Sequence, residues 1–304
     1  MQQDREQGRE QDGGDRPRSD AFPHVEPGDE DLTGVVQLLG GTYGRDGRSH
    51  PRSPNEPEVR WCLEAGVRAL FEEFCAFEQG EHQAVLPANE LLGAVSLRRV
   101  MVAYADLLSE HGRDPGHASR DRVLRRWGST TAFQRDVLRY LYRPGHERAR
   151  HAQRAEQLRG LYDLPFGEVA RVLSSEESDV QGTDPVIQLQ IALQAAFPAD
   201  RRLQELVRAN YEHRLEAWAR IYEDVAEAFG LRVTRAGFTF RDVAAVYNTI
   251  VEGVHQRLTA HPSLGLLEDG RSLALEMTMM MTEKLDGRPW SELADLRAGR
   301  GPRG

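Results

Sequence analysis

The sequence predicts an all-α chain built as two helical units. Two patterns carry that expectation. Apolar residues recur at spacings of three and four through most of the chain from Glu58 to Leu285. Capping residues and stop glycines bracket those stretches. A third observation, charge, separates the units: the chain carries −9 overall, yet residues 98–159 hold 14 basic against 7 acidic side chains. Residues 1–97 hold 9 against 19, and residues 160–304 hold 16 against 22. A local basic stripe in an acidic chain is the footprint of a phosphate-binding surface, or else chance charge segregation on an exposed helix pair. With 304 residues, 39% of them hydrophobic, the chain is long enough for two cores. No apolar run approaches the roughly 20 residues that span a membrane.

Residues 1–30 read as a disordered polar tail, with nothing to bury and no apolar core for a signal peptide or anchor. Residues 31–57 read as a loop carrying one short docked helix or turn, Leu32 to Leu39. Gly40, Gly41, Gly44 and Gly47 do not make a phosphate loop, because no buried strand precedes them and no Lys-Ser/Thr pair follows.

Residues 58–143 form the first unit. The spacing of Val59, Cys62, Leu63, Val67, Leu70, Phe71, Phe74 and Phe77 predicts a helix over 58–77. The two cysteines, Cys62 and Cys75, lie far apart on it and read as buried thiols in a reducing, cytoplasmic setting. A polar interval, 78–84, and a short apolar segment, Leu86 to Val95, lead to a second helix over 96–111. Leu97, Val100, Met101, Tyr104, Leu107 and Leu108 form its stripe, and Gly112 ends it. After a turn over 113–118, Ser119 caps a short helix in which Val123 and Trp127 point inward. That leaves Arg120, Arg122, Arg125 and Arg126 on its outer surfaces. Gly128 stops it, Ser129 caps the next helix, and Phe133, Val137, Leu138 and Leu141 give that helix its stripe. Helix, connection, helix, turn and short Arg-rich helix is the layout of a helix-turn-helix domain with a leading support helix. An arginine-faced helix pinned by one aromatic suits the major groove, where guanidiniums reach phosphates and guanine edges. The same residues also fit a solvated amphipathic helix.

Residues 144–290 form the second unit. An Arg-rich helix over 146–163 follows the Arg143-Pro144-Gly145 hinge, then a short helix, Pro165 to Leu173, and a loop, Ser174 to Asp184. Asp184 caps a helix opened by Pro185, in which Val186, Leu189, Ile191, Leu193 and Phe197 predict burial on more than one side. A long helix over 200–229 carries Leu203, Val207, Tyr211, Leu215, Trp218, Tyr222, Val225 and Phe229. Helices over 241–258 and 271–285 follow, the latter rich in methionine. Residues 291–304 read as a loose tail, with a possible short ending in RPWSELADL.

Within this frame, ASRDRVLRRWGSTTAF resembles the reading helix and following helix start of the tetracycline-repressor (TetR/AcrR) family. Ser119 takes the cap, Val123 and Leu124 the apolar pair, Trp127 the closing aromatic, and Gly128-Ser129 the step. By that match Arg120, Asp121, Arg122 and Arg125 face DNA. The second unit resembles the family's regulatory domain at Gly230 to Arg232, at Thr239 to Asp242 and at Glu252-Gly253. The resemblance implies a homodimeric regulator that binds double-stranded operator DNA and releases it for a small-molecule effector, with no membrane partner. Candidate DNA contacts are Ser119, Arg120, Asp121, Arg122, Arg125, Arg126 and Ser129.

The effector pocket that the resemblance implies would use Tyr211, Trp218, Tyr222, Tyr247, Met277 and Met281, although a Tyr/Trp stripe at helical spacing is more often plain core. Metal and nucleophile motifs are missing: there is no HExxH, CxxC or G-x-S-x-G, and Lys284 is the sole lysine. The expectation is therefore a regulator and not an enzyme, without cofactor. A helical homodimer that binds a protein or small ligand without reading DNA is the alternative.

Overall fold

The computed structural model describes residues 30–43, 49–74, 93 and 95–299. The polar tail up to residue 29, Cys75, Phe77 and most of the segment Leu86 to Val95 lie outside the described residues. Ahead of the first helix, residues 30–56 are a docked arm. Leu32 is fully buried, and the amides of Val35 and Val36 donate to its carbonyl, forming a single turn where a short helix was one expectation. Gly34 adopts φ 86°, a left-handed conformation that cannot propagate a helix. The glycine- and proline-rich stretch that follows, expected as loop, contains a small antiparallel pair, Gly41–Tyr43 (β1) with Ser49–Pro51 (β2).

Pro57–Phe74 (α1) is the central helix of the first unit and packs against Leu97–Glu110 (α2) and Thr130–Leu141 (α4). Its polar face is buried as well as its apolar one. Glu64 accepts from the Tyr140 hydroxyl at 2.8 Å, and Arg68 reaches both carboxylate oxygens of Glu110 at 2.9 Å. Gly66 is where α1 meets α4, since a Cβ there would stand 2.5 Å from Val137 Cγ2. Arg120–Trp127 (α3) lies between α2 and α4 and ends at Gly128, whose φ of 71° closes the helix.

In the second unit come Pro144–Arg159 (α5), Phe166–Thr183 (α6), Pro185–Ala196 (α7), Arg201–Phe229 (α8), Phe240–Ala260 (α9), Leu273–Asp286 (α10) and Trp290–Leu293 (α11). The all-α class holds among the described residues. Three details differ from the sequence expectation. First, α6 continues through Ser174 to Thr183, expected as loop. No proline interrupts that polar stretch and its one glycine, Gly182, falls at the very end, so a nucleated helix can add the residues before it at little cost.

Second, α7 packs onto α1, and Val186, Leu189 and Leu193 join the core of the first unit. Gln190 Nε2 donates to the Leu141 carbonyl at 3.0 Å, while Ile191 stays 38% exposed instead of buried. Third, the chain from 291 to 299 is docked and not loose. Leu293 is fully buried, and the carbonyls of Leu296 and Ala294 accept from the Phe166 and Gly167 amides at 3.0 Å. Those are first-turn donors of α6 that have no partner inside their own helix. No helix among the described residues is long and apolar enough to cross a membrane.

Candidate functional site

On α3 the apolar side chains turn inward as the spacing predicts: Val123 is fully buried and Trp127 3% exposed. Ser119 accepts from the Arg122 amide at 3.4 Å, and Ser129 accepts from the Ala132 amide at 3.1 Å, so both hydroxyls serve as helix caps. Arg120, Asp121 and Arg125 stand exposed on the outer surface, with Arg125 Nε donating to the Asp121 carbonyl at 3.3 Å. Arg122 is half-buried and lies toward Tyr104 of α2.

Arg126 departs from the expected outer surface. Its side chain is 11% exposed, pairs with Glu58 at the start of α1, and donates to the Arg122 carbonyl at 3.3 Å. Burial, with Arg52 beside it, lowers its pKa below the usual arginine value. The cause is geometric: one step past Arg125 brings the side chain round to α1. Among the described residues several arginines of the basic segment are likewise paired within the protein, as in Arg99–Glu73, Arg139–Asp136 and Arg143–Glu30. No such pair among them holds Arg120, Arg122 or Arg125.

The helix is fixed by a residue that sequence reasoning missed. Asp136 of α4 is fully buried and accepts from Trp127 Nε1 at 3.0 Å, Leu38 N at 2.9 Å, Gln37 N at 3.2 Å and Arg139 Nη1 at 2.8 Å. The arm also donates from the Gly40 amide to the Arg126 carbonyl at 2.5 Å. One signal was present: Asp136 sits three residues after Phe133 and four before Tyr140, on the buried face. An acid at that position needs partners.

Where α5 meets α8, Glu147, His151 and Arg154 are nearly enclosed. His151 Nδ1 lies 2.6 Å from the Glu147 carbonyl, which requires the Nδ1–H form, and its ring stands edge-on to Trp218 at 5.3 Å. Burial, then the charge of Arg150, and more weakly that of Arg214, push its pKa down against the pull of Glu147.

A cavity of about 90 Å³ opens between α6, α8, α9 and α10. Of the six expected pocket residues, Trp218, Tyr222 and Tyr247 line it. Trp218 stacks on Tyr222 at 5.5 Å, and Tyr222 tilts against Tyr247 at 5.1 Å. Tyr211 does not line it; about two turns of helix before Trp218, it faces a separate hollow of mixed lining with Arg214 and Glu252. Met277 is 38% exposed, and Met281 packs with the α9–α10 core, so neither methionine reaches the cavity. Besides Tyr247, the polar lining comes from side chains the sequence did not single out. Tyr247 OH pairs with Thr282 Oγ1 at 2.6 Å, Thr282 donates to the Thr278 carbonyl at 2.7 Å, and Ser174 reaches Thr278 Oγ1 at 3.1 Å. Burial pushes the Tyr247 hydroxyl up to about 12, so it stays protonated at neutral pH.

At the rim, Asp286 accepts from Arg288 Nε at 2.5 Å, Arg288 Nη2 at 2.8 Å and the Arg232 amide at 2.7 Å. Burial raises its pKa, but the hydrogen bonds from Arg288 and Arg232 win and hold it below the usual carboxylate value. Among the described residues no three His, Cys, Asp or Glu side chains gather as a metal site. No protein-family model, curated protein or solved structure matches the chain.

Proposed function

We propose that the chain is a homodimeric, DNA-binding transcriptional regulator of the cytoplasm, acting as a repressor, whose second unit senses a small molecule. The observation that carries this reading is the split of α3 into two faces. Val123 and Trp127 anchor it, while Arg120 and Arg125 stand exposed with no carboxylate partner among the described residues. An arginine held outward on a rigid helix, and not neutralised by its own protein, is free to meet phosphate or guanine. The resemblance of residues 118–133 to TetR/AcrR reading helices supports the same assignment.

Support for a second copy comes from the exposed apolar side chains around α10: Leu264, Leu266, Met277 and Met280 are 46%, 50%, 38% and 66% exposed. Pairing through this region would set two reading helices side by side, at about 34–36 Å for adjacent major grooves. An effector bound in the second unit would change that separation, and so release the operator by its differential affinity for the two arrangements.

The test is the Arg120→Ala, Arg125→Ala double variant, compared with the parent chain on duplex DNA selected by the parent. Loss of each guanidinium contact to a base is worth about 1–3 kcal/mol, so a weakening of 10-fold or more is expected at unchanged thermal stability. Equal binding by the two proteins removes α3 from the interface.

A further inference from the structure

Resting on the reading of the second unit as a small-molecule sensor, the geometry points to a single-ring aromatic carboxylate as the ligand of the cavity between α6, α8, α9 and α10. Its ring would lie against Trp218, Tyr222 and Tyr247, and its carboxylate would meet the Arg232 guanidinium at the rim.

Three features decide the chemistry. The walls are aromatic and aliphatic, with Phe166, Val225 and Val243 completing the surface around the Trp218–Tyr222–Tyr247 series. A flat ring gains most there, since aromatic pairs add to plain area burial. The volume, about 90 Å³, is below the ~150 Å³ of an enclosed apolar cavity that accepts benzene, so more than one ring is excluded and a single ring enters only as the side-chain walls give way.

The inner end repels an anion and the outer end attracts one. Thr282 gives its proton to the Thr278 carbonyl, so the proton shared between Tyr247 and Thr282 belongs to Tyr247. Ser174 gives its proton to the Ala170 carbonyl at 2.8 Å, so its contact with Thr278 Oγ1 takes the Thr278 proton, and with all four hydroxyl protons engaged a buried carboxylate finds no ready donor. At the rim, Arg232 lines the cavity and is itself exposed. No ion pair holds its guanidinium among the described residues. The neighbouring carboxylate, Asp286, is already matched by Arg288. A charged group placed there keeps its contact with water and gains a guanidinium, while the ring enters the apolar interior.

The experiment uses the full chain without DNA and three probes: benzoate, benzyl alcohol and acetate. Thermal stability and tryptophan fluorescence are followed in the parent, Arg232→Gln and Trp218→Phe. Because Arg232 is exposed, its replacement leaves the core intact. Benzoate is expected to raise the melting temperature and change the fluorescence of the parent, with acetate inert and benzyl alcohol about 10-fold or more weaker. Arg232→Gln should lose that 10-fold for benzoate alone, and Trp218→Phe should lose the fluorescence change.

Benzoate acting no more strongly than acetate overturns the assignment, as does equal benzoate affinity in Arg232→Gln. Benzyl alcohol matching benzoate overturns the carboxylate. Failure of the wider reading is separable. Benzoate binding that leaves duplex-DNA affinity unchanged keeps the ligand and removes the sensing role, whereas DNA release by other compounds with no benzoate binding does the reverse.

Discussion

Trp127 Nε1 donates to Asp136 Oδ2 at 3.0 Å inside the first core, and this bond joins the short Arg-rich helix to α4. The same carboxylate accepts from the Gln37 and Leu38 amides, so the arm ahead of α1 and the outward-facing arginines share one anchor. Trp127 also meets Phe133 edge-on at 5.0 Å, which keeps its ring in place when the hydrogen bond is lost. Asp136→Asn removes the charge that meets the part-exposed Arg139 and turns an amide group toward donors. A loss of about 3 kcal/mol is expected, since each hydrogen bond to a charged group is worth about 1.5–3 kcal/mol. Trp127→Phe removes one hydrogen bond and part of the ring, for about 1–2 kcal/mol. Denaturant unfolding of the two variants checks the order, and equal losses would remove Asp136 as the common anchor.

Adjacent arginines on α3 should behave oppositely. Arg126→Ala strips the partner from Glu58 and is expected to lower stability, by about 1 kcal/mol. Arg125→Ala should leave stability within about 0.5 kcal/mol and act on DNA affinity instead. Thermal unfolding beside a DNA titration separates the two. A stability loss at Arg125 with none at Arg126 would reverse the assignment of faces.

Gly66→Ala tests the approach of α1 to α4. Alanine favours an isolated helix by about 1 kcal/mol, yet the new Cβ would stand 2.5 Å from Val137 Cγ2. Overpacking costs about 1–3 kcal/mol, so a net loss is expected. Adding Val137→Ala should recover part of it, and strict additivity of the two changes would mean the helices are not in contact there.

The buried histidine gives a pH dependence with a fixed sign. His151 has its pKa lowered from the ordinary imidazole value of 6.5 by burial first and Arg150 second. The unfolded chain therefore binds the proton more readily than the folded one. Stability is complete above about 6.5 and falls as pH drops below it, by up to about 1.4 kcal/mol per unit until the folded group also titrates. The depressed acids Asp31, Asp184, Asp242 and Asp286 act the same way, but only near and below 3.8. Comparing melting temperatures at about pH 7.5 and 5.5 in the parent and His151→Gln thus isolates the histidine. The dependence should shrink in the variant, and an unchanged slope would assign it elsewhere.

Much of the helical frame was legible because it rests on local rules. Ser119, Gly128, Ser129 and Gly230 mark helix ends by their own side chain or by a positive φ, and the structure uses each of them that way. The stripes of α2, α4 and α8 follow from periodicity alone. What escaped was held by distant backbone partners. The arm docks through amides donating to a carboxylate 98 and 99 residues away, and the C-terminal stretch docks through carbonyls that meet the start of α6. Neither leaves a periodic trace. Arg126 escaped because composition distinguishes no arginine on α3 from another, whereas Glu58 does. In the cavity, the Trp218, Tyr222 and Tyr247 stripe was legible as apolar spacing, but Ser174 lay in a stretch expected as loop, and Arg232 and Asp286 are brought to the rim by the return of the chain after α8 and α10.

Reading of DNA by α3 is tested most directly by selecting genomic duplex fragments with the purified full chain at about 50 and 200 mM salt. Enrichment of a short palindromic site at both concentrations is predicted, with affinity falling on the order of 10³–10⁵ between them if 6–10 phosphates are contacted. Binding that is blind to sequence, or no binding at the lower salt, would contradict the assignment of α3 as a reader and leave a helical ligand-binding protein.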